Sequence, residues 1–329
     1  MDRVELRTRH GEGEGMDGFY ERTPEIRSSR KNFSRLGWGL TALLLVPVAI
    51  QLLLLLVMGV MGPALLGDLW FSMALSTGSL YLVGYPLAWF LLRRLPEAEV
   101  EEGPMPSGML LRMLFIALAV LYLTNYVTVI LTDVIGNLRG SPVANPLESM
   151  SDYPLSYNLL VTCILAPVAE EGLFRGVVLR RLRLYGERFA LLTSALVFAM
   201  MHANLSQMLY AFTVGVVFGY VALRTGRIRE TILLHAVVNF IGGCLYPLLE
   251  WLFPEGGARD MALTAMSMLV VFSILMGIIF FLRCRRNLWL EPDEGPVSEG
   301  RKWGLFFSSP GMVAYTLAVI AYVVIFLIL

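Results

Sequence analysis

Charge is scarce in this sequence. Only 16% of its 329 residues are charged and 57% are hydrophobic, whereas a typical soluble domain carries about 25% charged residues. This balance excludes a water-soluble enzyme of this size. Lysine plus arginine and aspartate plus glutamate both number 26, so the chain has no basic excess that would attract phosphate groups. We therefore expect no nucleic-acid partner.

Cysteine is equally rare. Cys163, Cys244 and Cys284 are odd in number and widely spaced, and they form no CxxC pair. The sequence therefore predicts neither a disulfide framework nor a thiolate metal site. The first 35 residues contain no apolar stretch, so we expect no cleavable signal peptide. HExxH, GxGD and GxS motifs are missing from the apolar runs, which disfavours the zinc-helix, aspartyl and serine classes of membrane protease.

Long apolar runs make up most of the remaining chain, and a helix needs about 20 apolar residues to cross a bilayer. Runs that reach or approach this length lie at residues 36–61, 71–92, 109–135, 157–179, 189–203, 207–223, 232–253, 261–282 and 305–329. The run at 189–203 is short for a crossing and predicts a helix that ends inside the protein. We predict an all-α fold, a polytopic membrane helix bundle with about eight or nine spans.

Arginine and lysine cluster at alternate ends of these runs. This asymmetry predicts an integral, multi-pass protein of the plasma or inner membrane with a cytoplasmic N-terminus. We divide the chain into four parts. These are a disordered cytoplasmic tail (1–35), N-terminal membrane helices (36–150), a core (151–253) and C-terminal membrane helices (254–329). The glutamate-rich segment 96–106 predicts a solvated cytoplasmic linker, and residues 136–154 an external loop.

Three ionisable residues lie inside one apolar run, namely Glu170, Glu171 and Arg175. Each charge at the centre of a bilayer costs about 2.5–3.5 kcal/mol on insertion scales, so such residues mark function by default. Glu171 and Arg175 are four positions apart in the order that favours an ion pair. That pair alone could simply lock helices together. Glu170 points about 100° away from Glu171 and is free to face something else, as a general base requires.

Two of the three histidines also lie in apolar runs. His202 ends the short run and His235 lies inside a later one, with Phe198 and Asn239 one helical turn away on the same faces. At 1.5 Å per residue, Glu170 and both histidines lie about 9–21 Å from the nearest cytoplasmic arginines. A carboxylate, two imidazoles and an amide in one slab of the bilayer could hold and activate a water molecule, with or without a metal.

These residues form an ordered trio of motifs, Glu170-Glu171-x-x-x-Arg175, Phe198-x-x-x-His202 and His235-x-x-x-Asn239. The trio resembles the signature of the CAAX protease and bacteriocin-processing (CPBP, Abi) family of intramembrane endopeptidases, which includes the type II CAAX prenyl endopeptidases. The match runs from about residue 157 to 240. Each motif alone is a weak signal, whereas three in order on successive membrane helices are a strong one.

The resemblance implies a helical core around a polar cavity in which Glu170 activates the attacking water. His202, His235 and Asn239 would position that water and stabilise the oxyanion, while Glu171 would orient Arg175. The substrate would be a membrane-embedded or lipidated peptide or protein within the lipid bilayer. Because Glu170, His202 and His235 are also residue types that bind zinc, the sequence leaves a metallo-type and a metal-free glutamic-type enzyme open.

A non-catalytic membrane protein is the alternative. A transporter, or an immunity or scaffold subunit, could use the same polar residues as a buried proton or ion relay. Transporters of this length often contain inverted repeats or paired broken helices, and the sequence displays neither. A Glu170→Gln variant separates the two hypotheses, because it retains the shape of the side chain and removes the base.

Overall fold

The structure is a computed structural model that describes residues 24–143, 145, 153–291 and 297–328. This part of the chain is helical and contains no strand. Its helices, with those joined by π-helical turns counted as one, are α1 (Pro24–Met61), α2 (Leu69–Leu92), α3 (Ser107–Arg139), α4 (residues 155–182), α5 (Glu187–Met201), α6 (Leu205–Thr225), α7 (Arg229–Leu252), α8 (Gly257–Cys284), α9 (Glu299–Phe307) and α10 (Pro310–Ile328). The all-α prediction is confirmed for these residues.

Among the residues that the structure describes, six helices are long and apolar enough to cross a membrane, namely α1, α2, α3, α6, α7 and α8. The pair α9–α10 is bent by 66° and makes a seventh if it counts as one span. The chain is thus an integral multi-pass membrane protein, and its described residues supply six or seven candidate spans rather than the predicted eight or nine. Helix α4 carries several charges, and α5 has 15 residues, about 22 Å, against a hydrocarbon core of about 30 Å.

Helix α1 begins at Pro24, so the prediction of a disordered tail over residues 1–35 is wrong for residues 24–35. Proline suits the first turn of a helix because its missing N–H would be unpaired there. The ring of Phe33 is buried against Tyr185 at 4.5 Å and Phe306 at 5.3 Å. This packing stabilises a helix in a segment whose polar composition did not predict one. Residues 1–23 of the predicted tail, with His10, lie outside the described residues.

The helices pack around two hydrophobic clusters. One joins residues of α1, α2, α4, α5, α6, α9 and α10, and the other joins residues of α3, α6 and α7. Helices α5 and α6 form a close antiparallel hairpin, in which Gly215 and Gly219 of α6 face Ala195 and Leu191 of α5. A Cβ at Gly215 would lie 3.3 Å from the Cα of Ala195. The close packing expected of a Gly-x-x-x-Gly stretch is therefore present.

The segment between α2 and α3 is tied to the ends of its neighbours. Glu97 accepts a hydrogen bond of 2.8 Å from Arg181, and Glu102 lies 3.7 Å from Arg180 and 3.5 Å from Arg227. The backbone N–H of Gly103 donates to the carbonyl of Thr225. Both carboxylates remain about half exposed, so the predicted linker is exposed to solvent and also forms a strap across α4 and α6. Residues 144 and 146–152 of the predicted external loop lie outside the described residues.

Candidate active site

The helices around the predicted polar residues are widened by π-helical turns. Helix α4 contains two, at Val161–Leu165 and Phe174–Leu179, and α7 contains one at Phe240–Cys244. Helix α2 contributes a fourth at Gly78–Gly84. A π-helical turn inserts one residue into an α-helix and is often found at functional sites. The two turns of α4 bracket the stretch Ala166–Leu173, which carries both glutamates.

Glu171 and Arg175 form the predicted ion pair, and both side chains are completely buried. Nη1 of Arg175 donates to Oε1 of Glu171 at 3.0 Å, and Nη2 donates to the carbonyl of Gly215 at 3.1 Å. The guanidinium also lies over the ring of Phe198, 4.4 Å from its centroid. The pair therefore fastens α4 to α5 and α6, and the charge of Glu171 is neutralised within the protein.

His235 lies between the two carboxylates of α4. Its Nδ1 donates to Oε1 of Glu171 at 2.9 Å, while its Nε2 is 3.8 Å from Oε2 of Glu170. This geometry assigns the proton of a neutral imidazole to Nδ1 and leaves Nε2 as an acceptor. The rings of Phe218 and Phe198 pack on the imidazole at 5.2 and 6.1 Å, which fixes its orientation.

Glu170 has a different environment from its neighbour. Its side chain is 13% exposed, whereas that of Glu171 is sealed. Its Oε2 atom lies 3.8 Å from Nε2 of His235, which is longer than a hydrogen bond. Glu170 is thus buried enough to be shielded from bulk solvent and open enough to meet a small molecule. The site has one paired carboxylate and one spare carboxylate.

His202 follows the last residue of α5, at the inner end of the α5–α6 hairpin. Its Nδ1 is 3.0 Å from the carbonyl of Phe198, and the two rings pack edge to face at 5.1 Å. Ala203 then adopts a left-handed φ of 51°, a strained conformation for a residue with a Cβ. The side chain of Asn204 caps α6. The ring of Phe198 lies 5.1 Å from the imidazole of His202 and 6.1 Å from that of His235, so the hairpin brings the second histidine to the same cluster.

Asn239 faces α4, as its position one turn after His235 predicts. Its Nδ2 donates to the carbonyl of Thr162 at 2.8 Å, which belongs to the first π-helical turn of α4. One amide hydrogen is therefore committed to the helix contact. Glu170, Glu171, Arg175, His202 and His235 form the polar cluster, and Asn239 lies at its edge. The catalytic roles assigned to all of these residues stay predictions.

The hypothesis that the site binds zinc can be compared with the positions of the side chains that could act as ligands. Within the described part of the chain, no group of three or more His, Cys, Asp and Glu side chains is arranged to hold a metal ion. The nearest candidates, Glu170 and His235, have their Oε2 and Nε2 atoms 3.8 Å apart. Glu170, His202 and His235, for which zinc binding was left open, thus do not fit a preformed zinc site.

Two tyrosines of α2, Tyr81 and Tyr85, look like ordinary core aromatics in the sequence, because they lie four residues apart in an apolar run. Their ring centroids are 5.5 Å apart and the rings are stacked, and Tyr85 is buried. The half of α2 that begins at Tyr85 packs on the Ala166–Leu173 stretch of α4, which carries Glu170.

Comparison with known proteins identifies the segment that carries these residues. Residues 153–241 match a family model described as type II CAAX prenyl endopeptidase Rce1-like. The match covers about a quarter of the 329-residue chain and contains all three motifs. The resemblance to the CAAX protease (CPBP, Abi) family is confirmed over this segment. No curated protein and no solved structure matches the chain.

Proposed function

We propose that this protein is an intramembrane endopeptidase in which Glu170 activates water to hydrolyse a peptide bond. The observation that supports this best is the position of His235 between two unlike carboxylates. Glu171 is neutralised by Arg175 and holds Nδ1 of His235, whereas Glu170 faces Nε2 without a bonded cation. The Rce1-like match to the same residues supports the same class of reaction.

The reaction can be written with the side chains present. The carboxylate of Glu170 takes a proton from a water molecule, and the resulting hydroxide attacks the carbonyl carbon of the scissile peptide bond. The tetrahedral intermediate collapses as the C–N bond breaks, and the proton held by Glu170 passes to the leaving nitrogen. The products are a carboxylic acid and an amine. Acceptor nitrogens on His202 and His235 orient the second hydrogen of the water.

The helices restrict the class of substrate. A site enclosed by membrane helices is reached most readily by a chain that is itself held at the bilayer, so we propose a prenylated or C-terminally anchored peptide or protein. The match to a family of CAAX prenyl endopeptidases favours a C-terminal C-a-a-X sequence with a lipidated cysteine. The arginines at the ends of α2, α4 and α6 favour a plasma or inner membrane location with the N-terminus and the strap in the cytoplasm.

The proposed mechanism uses no metal ion, because the side chains that could bind zinc are not arranged as a preformed zinc site. The glutamate route and a zinc route predict different behaviour. Glutamate-activated water should retain its rate after the purified protein is treated with a strong chelator. An enzyme that depends on zinc would lose activity and regain it on zinc addition.

The decisive experiment replaces Glu170 with glutamine and measures cleavage of a fluorescence-quenched, prenylated C-a-a-X peptide by the purified protein in lipid nanodiscs. Loss of the base should lower kcat by about 10²–10⁴-fold. Glu99→Gln is the matched control, since Glu99 lies exposed on the strap and its loss should leave the rate unchanged. A Glu170→Gln enzyme with the parental rate would refute the proposal. A protein that never cleaves but conducts protons in a Glu170-dependent manner would establish the relay instead.

A further inference from the structure

Two of the π-helical turns carry a cysteine each. Cys163 lies in the turn Val161–Leu165 of α4, and Cys244 ends the turn Phe240–Cys244 of α7. The two turns pack on each other, and the Sγ atoms of the two cysteines are 3.6 Å apart. Both thiols are free. This arrangement allows a covalent bond between α4 and α7 at the two turns.

The thiol pair, Cys163 and Cys244, adjoins the polar cluster through Thr162. The hydroxyl oxygen of Thr162 lies 3.1 Å from Sγ of Cys244 and 3.7 Å from Sγ of Cys163. The carbonyl of the same residue accepts the 2.8 Å hydrogen bond from the amide of Asn239. A residue in contact with both sulfurs thus also holds the asparagine that the family resemblance places in the active site.

The two thiols differ in exposure. Cys244 is only 1% exposed, whereas Cys163 is partly exposed. Ile164, the next residue of α4, is an exposed apolar side chain, so an oxidant dissolved in the bilayer can approach the helix here. An accessible thiol with a second thiol in contact is the arrangement typical of redox-sensitive cysteines.

We propose that the thiol pair is a redox modification site, at which a membrane-soluble hydroperoxide forms a disulfide that shifts Thr162 and lowers peptidase activity. The sulfur of Cys163 attacks the terminal oxygen of the hydroperoxide, and the O–O bond breaks. The thiol proton passes to the leaving oxygen, so the products are a sulfenic acid and an alcohol. The sulfur of Cys244 then attacks that of Cys163, and the S–O bond breaks with loss of water. Two thiols are oxidised and one hydroperoxide is reduced.

The bond disturbs the contacts of Thr162. A disulfide brings two sulfurs to about 2 Å, whereas those of the thiol pair are 3.6 Å apart. Because the Thr162 hydroxyl contacts both sulfurs, closing this gap displaces it together with the carbonyl that holds Asn239. A displacement of about 1 Å can cost an enzyme about 10²-fold in rate. The effect on activity rests on the proposed function.

The test treats the purified protein in nanodiscs with cumene hydroperoxide and measures cleavage of the quenched prenylated C-a-a-X peptide. Oxidation should lower the kcat of the parent by at least about tenfold, and a phosphine reductant should restore it. Cys163→Ser should retain its rate under the same treatment, as should Cys244→Ser, the second variant that cannot form the bond. Cys284→Ser is the matched control, because Cys284 is a buried cysteine at the end of α8, and this variant should respond as the parent does.

Peptide mass spectrometry should detect the Cys163–Cys244 disulfide in the treated parent. The proposal is overturned if this disulfide does not form, if it forms without a loss of kcat, or if Cys163→Ser loses as much activity as the parent. A reduced parent that cleaves no peptide would refute the proposed function instead. Hydrogen exchange, which needs no substrate, then decides the modification site. Oxidation should change the exchange of amides around Thr162 and Asn239 in the parent and not in Cys163→Ser, and unchanged exchange in the parent refutes the site.

Discussion

The ion pair of Glu171 and Arg175 allows a quantitative test of the site, because both side chains are completely buried. Removing one partner of a buried pair costs about 3–5 kcal/mol, since the other charge is left in a medium of low dielectric constant. The two single variants should differ. In Arg175→Leu, Glu171 keeps the 2.9 Å bond from His235 and can take up a proton. In Glu171→Leu, the guanidinium cannot lose its proton and keeps Gly215 as its acceptor.

We therefore expect Arg175→Leu to lower the free energy of unfolding by about 3 kcal/mol and Glu171→Leu by about 5 kcal/mol. The double variant contains neither charge. It leaves two neutral groups, the imidazole of His235 and the carbonyl of Gly215, without these partners, at about 1–3 kcal/mol each. Its loss should be about 5 kcal/mol rather than the roughly 8 kcal/mol that addition predicts, a coupling energy of about 3 kcal/mol.

The assay is denaturant unfolding of the purified protein in mild detergent, followed by circular dichroism. A second cycle on Glu102 and Arg227 is the matched control, because those side chains are 54% and 26% exposed and their charges are 3.5 Å apart. An exposed pair should give a coupling energy of no more than about 1 kcal/mol. Additivity of the buried pair within about 0.5 kcal/mol, or a greater loss in Arg175→Leu than in Glu171→Leu, would refute the reasoning.

Two further predictions concern the contacts between helices. A Cβ at Gly215 would lie 3.2 Å from the ring of Phe198 and 3.3 Å from the backbone of Ala195, whereas a Cβ at Gly219 would meet only the flexible tip of Leu191. Peptidase activity should therefore fall more in Gly215→Ala than in Gly219→Ala. A greater loss of activity in Gly219→Ala would contradict this prediction. The Sγ atoms of Cys163 and Cys244 are 3.6 Å apart. A membrane-permeant oxidant should join them within one chain, as peptide mass spectrometry can detect, and failure to link them would contradict the α4–α7 contact.

Contacts between residues one helical turn apart could be predicted from the sequence. The pairs Glu171–Arg175 and Phe198–His202 are four residues apart, and helical geometry brings such residues together whatever the rest of the fold does. The short run at 189–203 likewise predicted a helix ending inside the protein, and α5 ends at Met201. These predictions depend on local geometry, so no knowledge of the helix arrangement was needed.

Contacts between different helices could not be predicted from the sequence in this way. Nothing in the sequence says that the amide of Asn239 is bonded to Thr162, or that Tyr85 lies beside α4, because both depend on how helices far apart in the chain pack. The predicted eight or nine spans were not found among the described residues for a related reason. An apolar run records the average environment of a segment, and α4 is apolar in composition yet carries the charges that the site requires.

The π-helical turns change the relative directions of residues that lie on their two sides. Each adds one residue, which turns the following part of the helix by about 100° relative to an uninterrupted α-helix. Glu170 and Glu171 lie within the regular stretch Ala166–Leu173, so their relative directions follow the simple rule. Thr162 lies across a π-helical turn from them, and its carbonyl meets Asn239. The geometry of a site built across such turns depends on local changes of helix register. These changes arise from packing between helices and not from the sequence pattern along any one helix.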